Sequence, residues 1–240
     1  MAIRADDTGF RGLVLLQDPE TFSYGIDAVL LADYCKASPA ERLLDLGSGN
    51  GAVALIAIGK YDVASVTGIE VQERMADLAR QSAAYNHLED RLIFLQGDVL
   101  AIEDLVPAAA FDAVTCNPPY AEAGRGPVSG KETTYIARHE TTASLADFVR
   151  AGAYALKPGG RFVMVHRPSR LPDIFEALRD CGLEPKRMRL VAPKPGASPN
   201  IVLVTATRGG GKELLVDPVL CVRSEDGSYS EEILKIYNRI

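Results

Sequence analysis

Hydrophobic and polar positions follow two alternating patterns through most of the chain, starting near residue 42. Short runs rich in Val, Ile and Leu predict buried strands, and longer segments with apolar residues at helical spacing predict helices. The predicted strands are Arg42–Leu46, Ala64–Glu70, Arg91–Gln96, Phe111–Cys116, Arg161–His166, Arg187–Ala192 and Ile201–Thr207. The predicted helices among them are Ala52–Lys60, Gln72–Asn86, Leu145–Leu156 and Leu171–Cys181. This alternation favours an α/β fold with a mostly parallel sheet covered by helices on both faces.

The two ends of the chain depart from this pattern. Only Pro193–Asn200 separate the last two strands, which is too short for a crossover helix, so we expect a terminal antiparallel hairpin. Before the alternation, a small strand pair at Gly12–Gln17 and a helix at Ala28–Lys36 predict an N-terminal cap, and a short helix is predicted at Ser230–Tyr237. We therefore predict a single domain over residues 1–240, with the cap in 1–38, the core in 40–207 and a C-terminal extension in 208–240.

The composition narrows the class of protein. The 240 residues are 47% hydrophobic, which is enough for a substantial core. No apolar run approaches the roughly 18 residues of a membrane helix. Residues 1–7 contain no apolar signal segment, so we expect a cytoplasmic protein. The four cysteines form no C-x-x-C motif and do not cluster with the three histidines, so we expect neither a metal site nor a disulfide framework.

The charge of the chain is unevenly distributed. Its net value of −6 argues at first against a nucleic-acid partner. Residues 150–212, however, contain 12 Lys and Arg against 4 Asp and Glu. A local basic patch matters more for nucleic-acid binding than the total charge, although from charge alone solvated surface residues are the preferred interpretation.

A glycine-rich loop follows the first core strand, in the sequence D-L-G-S-G-N-G at residues 45–51. Glycines at a strand–helix junction let the backbone turn sharply and approach a ligand closely. The spacing is G-x-G-x-G and differs from the G-x-G-x-x-G of dinucleotide-binding loops. Taken alone, such a loop is weak evidence for a ligand site.

Two further carboxylates strengthen the prediction of a site. Glu70 ends the second core strand, and Asp98 follows the third in the sequence Gly97-Asp98-Val99. Because the carboxyl ends of parallel strands meet at one edge of a sheet, we expect both to lie beside the glycine loop. Glu70 is placed to accept both hydroxyls of a ribose, and Asp98 suits an adenine amino group.

The fourth core strand runs into the corner Asn117-Pro118-Pro119-Tyr120. Proline fixes its own φ angle and lacks an N–H group, so two consecutive prolines make this corner stiff and extended. With the glycine loop and the two acidic positions, the corner completes an ordered set of motifs over most of residues 40–207. This set resembles the class I S-adenosylmethionine-dependent methyltransferases that methylate amino groups.

The resemblance implies a Rossmann-like class I methyltransferase fold with a seven-stranded sheet, and S-adenosylmethionine as the cofactor. In that family the glycine loop passes the methionine part of the cofactor, the acidic residue holds the ribose and the later Asp holds the adenine. The cofactor-binding residues implied here are Gly25, Asp27, Asp45, Gly47, Gly49, Gly51, Glu70, Asp98, Val99 and Asn117.

The corner also has a chemical rationale. An exocyclic amino group is a poor nucleophile because its lone pair is delocalised. The side-chain oxygen of Asn117 and the carbonyl of Pro118 can accept its two hydrogens and favour a pyramidal nitrogen, and the rigid corner keeps these acceptors oriented. The ring of Tyr120 can stack on a planar target. We therefore predict Asn117, Pro118 and Tyr120 as catalytic residues, without a metal.

The flanking segments resemble a narrower group. Residues 22–32, with the run G-x-D-x-x-L-L that includes Gly25 and Asp27, resemble the bacterial tRNA(Val) adenine N6-methyltransferase family, which acts on the adenine next to the anticodon. Residues 136–140 resemble it as well. The resemblance implies RNA, and specifically tRNA, as the partner. Arg125, Lys131 and Arg138 in the loop after the corner, together with Tyr120, are the predicted substrate-binding residues.

Alternatives remain open from the sequence. Similar corners serve guanine N2 methyltransferases on RNA, adenine methyltransferases on DNA, and glutamine N5 methyltransferases that act on release factors. The release-factor enzymes usually carry a helical domain before the glycine loop, and the short segment here counts against them. A cofactor-binding RNA module without activity is disfavoured by the intact corner, and a nicotinamide oxidoreductase by the glycine spacing. The sequence does not reveal the oligomeric state.

Overall fold

Nine strands form one sheet in the computed structural model, which describes residues 3–19, 24–119 and 143–240. A separate antiparallel pair consists of β1 (Arg4–Asp7) and β2 (Val14–Gln17). The strands of the large sheet are β3 (Arg42–Leu46), β4 (Ser65–Glu70), β5 (Leu92–Gln96), β6 (Phe111–Cys116), β7 (Leu156–His166), β8 (Leu183–Ala192), β9 (Ile201–Arg208), β10 (Leu215–Val216) and β11 (Leu220–Cys221). The described helices are α1 (Ile26–Cys35), α2 (Ala52–Tyr61), α3 (Glu73–Tyr85), α4 (Ile102–Leu105), α5 (Leu145–Ala155), α6 (Leu171–Asp180) and α7 (Glu231–Ile236).

The order of the strands creates a place for a ligand. The sheet order is β10-β8-β9-β7-β6-β3-β4-β5, and β11 pairs with the end of β8. Neighbouring strands run parallel except at β9, which is antiparallel to both β7 and β8. From β3 the chain moves outward through β4 and β5 and returns to the other side of β3 at β6. The carboxyl ends of β3 and β6 therefore form a topological switch point, where open α/β sheets bind ligands.

Both faces of the sheet are covered by helices, which explains the nearly continuous apolar character of its central strands. Because successive residues of a strand point to opposite faces, Leu43 lies in one buried cluster and Leu44 in the other. Helices α1, α2 and α3 pack on the first face, and α5 and α6 pack on the second. The helices on both faces hold β3 in place, and with it the glycine loop that follows β3.

The predicted α/β architecture with seven core strands and a terminal antiparallel hairpin is confirmed, with local differences. β8 begins at Leu183, whereas the sequence pattern predicts a start at Arg187. Proline is unusual within a strand, and Pro185 is tolerated here because it lies at a register shift between β8 and β9. β2 pairs with residues 4–7, whereas the sequence pattern predicts the whole pair within Gly12–Gln17, because residues 4–7 are polar and do not resemble a strand. The two-residue strands β10 and β11 extend the sheet and were not predicted.

The C-terminal helix is attached to the first face. Its Ile233 and Ile236 are buried in the same cluster as α1, and the Lys60 ammonium group donates to the carbonyl of Ile236 at 2.6 Å. Within the described ranges, no helix has the length and apolarity needed to span a membrane. The same residues contain no group of three His, Cys, Asp or Glu side chains arranged to hold a metal ion.

Candidate functional site

A cavity of about 220 Å³ opens at the switch point, on the carboxyl edge of the sheet. The residues predicted from the sequence and found in its lining are Gly25, Asp27, Asp45, Gly47, Gly49, Glu70, Asp98, Val99, Asn117 and Pro118. They come from five separate stretches of the chain that only the fold brings together. Tyr120, Arg125, Lys131 and Arg138 lie outside the described residues.

The glycine loop is drawn against the end of β4. The backbone N–H groups of Gly47 and Ser48 both donate to the carbonyl of Ile69, at 2.9 and 3.0 Å. Gly47 and Gly49 have φ angles of 68° and 54°, in the left-handed region that favours glycine. The loop therefore presents its backbone to the cavity, directly beside the last residue of β4.

Gly51 has a different part in this loop. Unlike the other two glycines, it is not in the cavity lining. Its φ angle is 84°, and a Cβ atom there would lie 2.7 Å from the ring of Phe94 and 3.2 Å from Ala79. Its position is set by the close packing of the start of α2 against its neighbours rather than by direct contact with the cavity.

Glu70 is held by backbone groups on both sides of the cavity. Its Oε2 atom accepts from the N–H of Gly49 at 2.8 Å, and Oε1 accepts from the N–H of Gln72 at 3.0 Å. The side chain is only 5% exposed. Burial raises the pKa of this carboxyl, and the N–H donors partly oppose that rise. The carboxylate is thus fixed in orientation, and each oxygen has lone pairs left for a ligand hydroxyl.

Asp45 lies deeper, at the end of β3. Its Oδ1 atom accepts from the hydroxyl of Thr115 at 2.7 Å, whereas Oδ2 is buried and has no hydrogen-bond partner among the described residues. Burial raises the pKa of Asp45 to about 7, with a smaller contribution from the neighbouring Glu70. The Thr115 hydroxyl acts in the opposite direction.

Two buried polar atoms without a hydrogen-bond partner indicate which ligand the cavity suits. Within the described chain, the buried Oδ2 of Asp45 and Oγ of Ser48 lack a partner, and both residues line the cavity. A buried acceptor without a partner costs free energy unless a ligand supplies a donor. An α-ammonium group supplies three donors and a positive charge. The residues present therefore fit the methionine end of S-adenosylmethionine.

A short capped turn after β5 forms another part of the cavity wall. The Oδ1 atom of Asp98 accepts from the N–H of Leu100 at 3.0 Å and so begins the short 3₁₀ turn Val99–Ala101. Val99 is 7% exposed and lines the cavity with Asp98. The carboxylate therefore caps a turn and borders the cavity at the same time, with the apolar Val99 beside it.

The proline corner closes the other side. β6 ends at Cys116, and Asn117, Pro118 and Pro119 all line the cavity. Pro118 is buried and Pro119 is exposed, so the corner passes from the interior to the surface within two residues. It stands next to Asp45, because β6 pairs directly with β3 at Asp45 and Thr115.

Sequence reasoning missed three contributors to this site. Thr115 holds Asp45, Ser48 offers an unpartnered hydroxyl, and the ring of Phe148 lines the cavity and lies 3.4 Å from where a Cβ of Gly47 would be. Thr115 could have been found, since it precedes Asn117 by two residues on a strand aligned with β3. Phe148 gave no signal, because its contact with the loop depends on how α5 packs.

Comparison with known proteins agrees with this geometry. The family model described as "Methyltransferase small domain" matches residues 13–179. A tRNA1(Val) (adenine(37)-N6)-methyltransferase from Porphyromonas gingivalis is 30% identical over 75% of this chain and 72% of its own. A protein of the same name from Bacteroides fragilis is 28% identical over 95% of this chain and 94% of its own.

A solved structure confirms the predicted fold. A predicted O-methyltransferase from Agrobacterium tumefaciens superposes with a TM-score of 0.73 at 24% identity, over 88% of this chain and 95% of the other. The family uses S-adenosylmethionine, in agreement with the cavity and its unpartnered acceptors. Because the family model spans more than half of the sequence, this chain belongs to the methyltransferase small domain family and is an S-adenosylmethionine-dependent methyltransferase.

Proposed function

We propose that the protein methylates the exocyclic N6 amino group of an adenine in tRNA, the adenine next to the anticodon of tRNA(Val), and that it works in the cytoplasm. One observation supports this above the others: Asn117 and Pro118 line the same cavity as Asp45 and Glu70. The names of the relatives from P. gingivalis and B. fragilis support the choice of tRNA and of adenine.

Different residues hold the different parts of the cofactor. Asp45 and Ser48 offer acceptors to the ammonium group, and the backbone of the glycine loop borders the methionine chain. Glu70 offers both carboxylate oxygens to the ribose hydroxyls, and Asp98 and Val99 border the adenine. Gly25 and Asp27, at the start of α1, cover the cavity from the side of the cap. When bound, S-adenosylmethionine supplies a methyl group already activated on a sulfonium.

The protein's own task at the target base is alignment. The amide oxygen of Asn117 and the carbonyl of Pro118 accept the two amino hydrogens and so orient the nitrogen lone pair. The prolines hold these acceptors without rearrangement during the reaction, which is how preorganised dipoles lower a barrier. Tyr120 follows the corner directly and supplies a ring for stacking on the base.

Methyl transfer from labelled S-adenosylmethionine tests the proposal, with unmodified tRNA, duplex DNA and a release factor as acceptors. We expect label in tRNA, recovered as N6-methyladenosine after digestion. Asn117→Ala should lower kcat by about 10²-fold or more, since preorganised groups of this kind contribute that much. Thermal unfolding of the variant, compared with wild type, shows whether it is folded. Label only in the release factor or DNA would overturn the choice of substrate.

A further inference from the structure

The basic residues of the segment 150–212 and of the C-terminal extension lie at different places in the sheet. β9 is antiparallel to both β7 and β8, so β8 runs in the same direction as β7, and β11 runs parallel to β8. The carboxyl ends of β6, β7, β8 and β11 therefore lie on one edge. Arg167 directly follows β7, Lys194 follows β8 by two residues, and Arg223 follows β11 by two. Three cations thus continue the edge that begins at Asn117.

The spacing of these cations follows from the strand order. Going outward from β6, the edge passes β7, β9, β8 and β11. Four strand spacings of about 4.8 Å each separate β11 from β6, which is roughly 19 Å across the sheet. That distance is within the reach of the nucleotides that flank a base held in the cavity.

Two other arginines of the same segment are paired with acidic side chains. Arg187 donates to Asp217 at 2.6 Å, and Arg189 forms a two-pronged pair with Glu232 at 2.6 and 2.9 Å. Their charge is therefore neutralised within the chain. Lys186 donates to the carbonyl of Gly211 at 2.9 Å, near the start of β8 and away from the carboxyl edge.

Arg223 differs from these, because the group that accepts its hydrogen bond is neutral. It donates to the carbonyl of Gly227 at 2.7 Å and so retains its charge. Its guanidinium lies 4.9 Å from the centre of the ring of Tyr229, and the two residues form an isolated antiparallel bridge. Tyr229 is 43% exposed. Of the acidic side chains in this turn, Asp226 accepts from both the N–H and the hydroxyl of Ser228, at 2.9 and 2.7 Å.

Tyr237 interacts electrostatically both with Tyr229 of this turn and with Tyr24 at the cavity. Burial raises the pKa of Tyr237 to about 12, and the nearby hydroxyls of Tyr229 and Tyr24 act in the same direction. Tyr24 itself lines the cavity.

We propose that Arg167, Lys194, Arg223 and Tyr229, here called the carboxyl-edge row, bind the RNA strand on one side of the target base. The cations contact phosphates, and Tyr229, held by Arg223, stacks on a flanking base. Such pairing of a basic track with an exposed ring is how proteins hold single-stranded nucleic acid. This inference rests on the proposed function, since it takes RNA as the substrate.

Binding of fluorescent, unmodified tRNA measured by anisotropy tests the row independently of methyl transfer. We expect Arg223→Glu and Tyr229→Ala each to weaken binding about tenfold, and Arg223→Glu to reduce the salt dependence by about one ion. The affinity for S-adenosylmethionine should stay unchanged in both, since neither residue lines the cavity. Lys212→Glu is the matched control: Lys212 is exposed and lies beyond the end of β9, on the opposite edge.

The outcomes separate the two proposals. Unchanged tRNA affinity in both variants, or a loss of the same size in Lys212→Glu, would overturn the row. So would wild-type protein that binds no tRNA. If the variants lose tRNA binding while the wild type methylates tRNA at a base other than this adenine, the row stands and the proposed reaction fails.

Discussion

Acidic side chains have different partners at the two edges of the sheet. At the amino edge, acidic side chains are paired with cations: Glu41 accepts from both arms of Arg161 at 2.8 Å, and Asp112 accepts from Lys157 at 2.6 Å. At the carboxyl edge, Asp45 and Glu70 are buried, and they accept hydrogen bonds from a hydroxyl and from backbone N–H groups. The first edge is complete within the chain. The second leaves acceptors that a ligand must satisfy.

Removal of a carboxylate at the carboxyl edge should have the largest effect on the affinity for S-adenosylmethionine. Glu70→Ala deletes both proposed ribose acceptors and releases the N–H of Gly49. Two charge-assisted hydrogen bonds at about 1.5 kcal/mol each correspond to a rise in Kd for S-adenosylmethionine of about 100-fold. Calorimetry measures this directly. An affinity within threefold of wild type would show that Glu70 does not bind the cofactor.

A smaller effect is expected from the hydroxyl that supports Asp45. Only the ionised carboxylate attracts an ammonium group, and its pKa is raised to about 7, so affinity for S-adenosylmethionine should increase as the pH rises through 7. Thr115→Val removes a donor that lowers this pKa. We expect it to weaken binding about five- to tenfold at pH 7, with recovery above pH 8.

Thr115→Ser retains the hydroxyl and serves as the control for that experiment. A pH-independent loss in the valine variant would indicate altered packing instead of altered ionisation. The sign for stability is opposite to that for binding. Because the folded pKa of Asp45 lies above the unfolded value, the ligand-free protein should lose stability from this group as the pH rises from about 4 to about 7.

A substitution at the amino edge of the sheet should have the smallest effect on S-adenosylmethionine binding. The side chains of Glu41 and Arg161 are 18% and 31% exposed, so the pair is only partly screened by solvent. Glu41→Ala should cost about 1–2 kcal/mol and lower Tm by about 3–6 °C, with an unchanged Kd for S-adenosylmethionine. Thermal unfolding and calorimetry on the same sample check both statements. A clear loss of cofactor affinity in Glu41→Ala would contradict the conclusion that only the carboxyl edge binds the cofactor.

The sequence predicted the central strands and the site residues at their ends because both depend on local patterns. Glu70 and Asp98 end or follow apolar runs, and parallel strands bring such ends to one edge. Asn117 was visible because two prolines mark its corner. The cofactor and the fold followed from the order of these motifs.

Features that depend on packing across the fold were not predictable in this way. The contact of Phe148 with the glycine loop requires the orientation of α5, and the bond from Thr115 to Asp45 requires the register of β6 against β3. The pairing of Arg187 and Arg189 with distant acids could not be read from a run of basic residues. Which cations stay available was therefore decided by the tertiary structure.

The turn that carries Arg223 and Tyr229, and the hairpin loop at residues 193–200, lie outside the cavity lining. Changes in these two surface segments can therefore accumulate without disturbing the cofactor site. Natural divergence could redirect such an enzyme to another nucleic acid through a few substitutions there. The same segments are the natural choice for a library that seeks a new recognition sequence while the methylation chemistry stays constant.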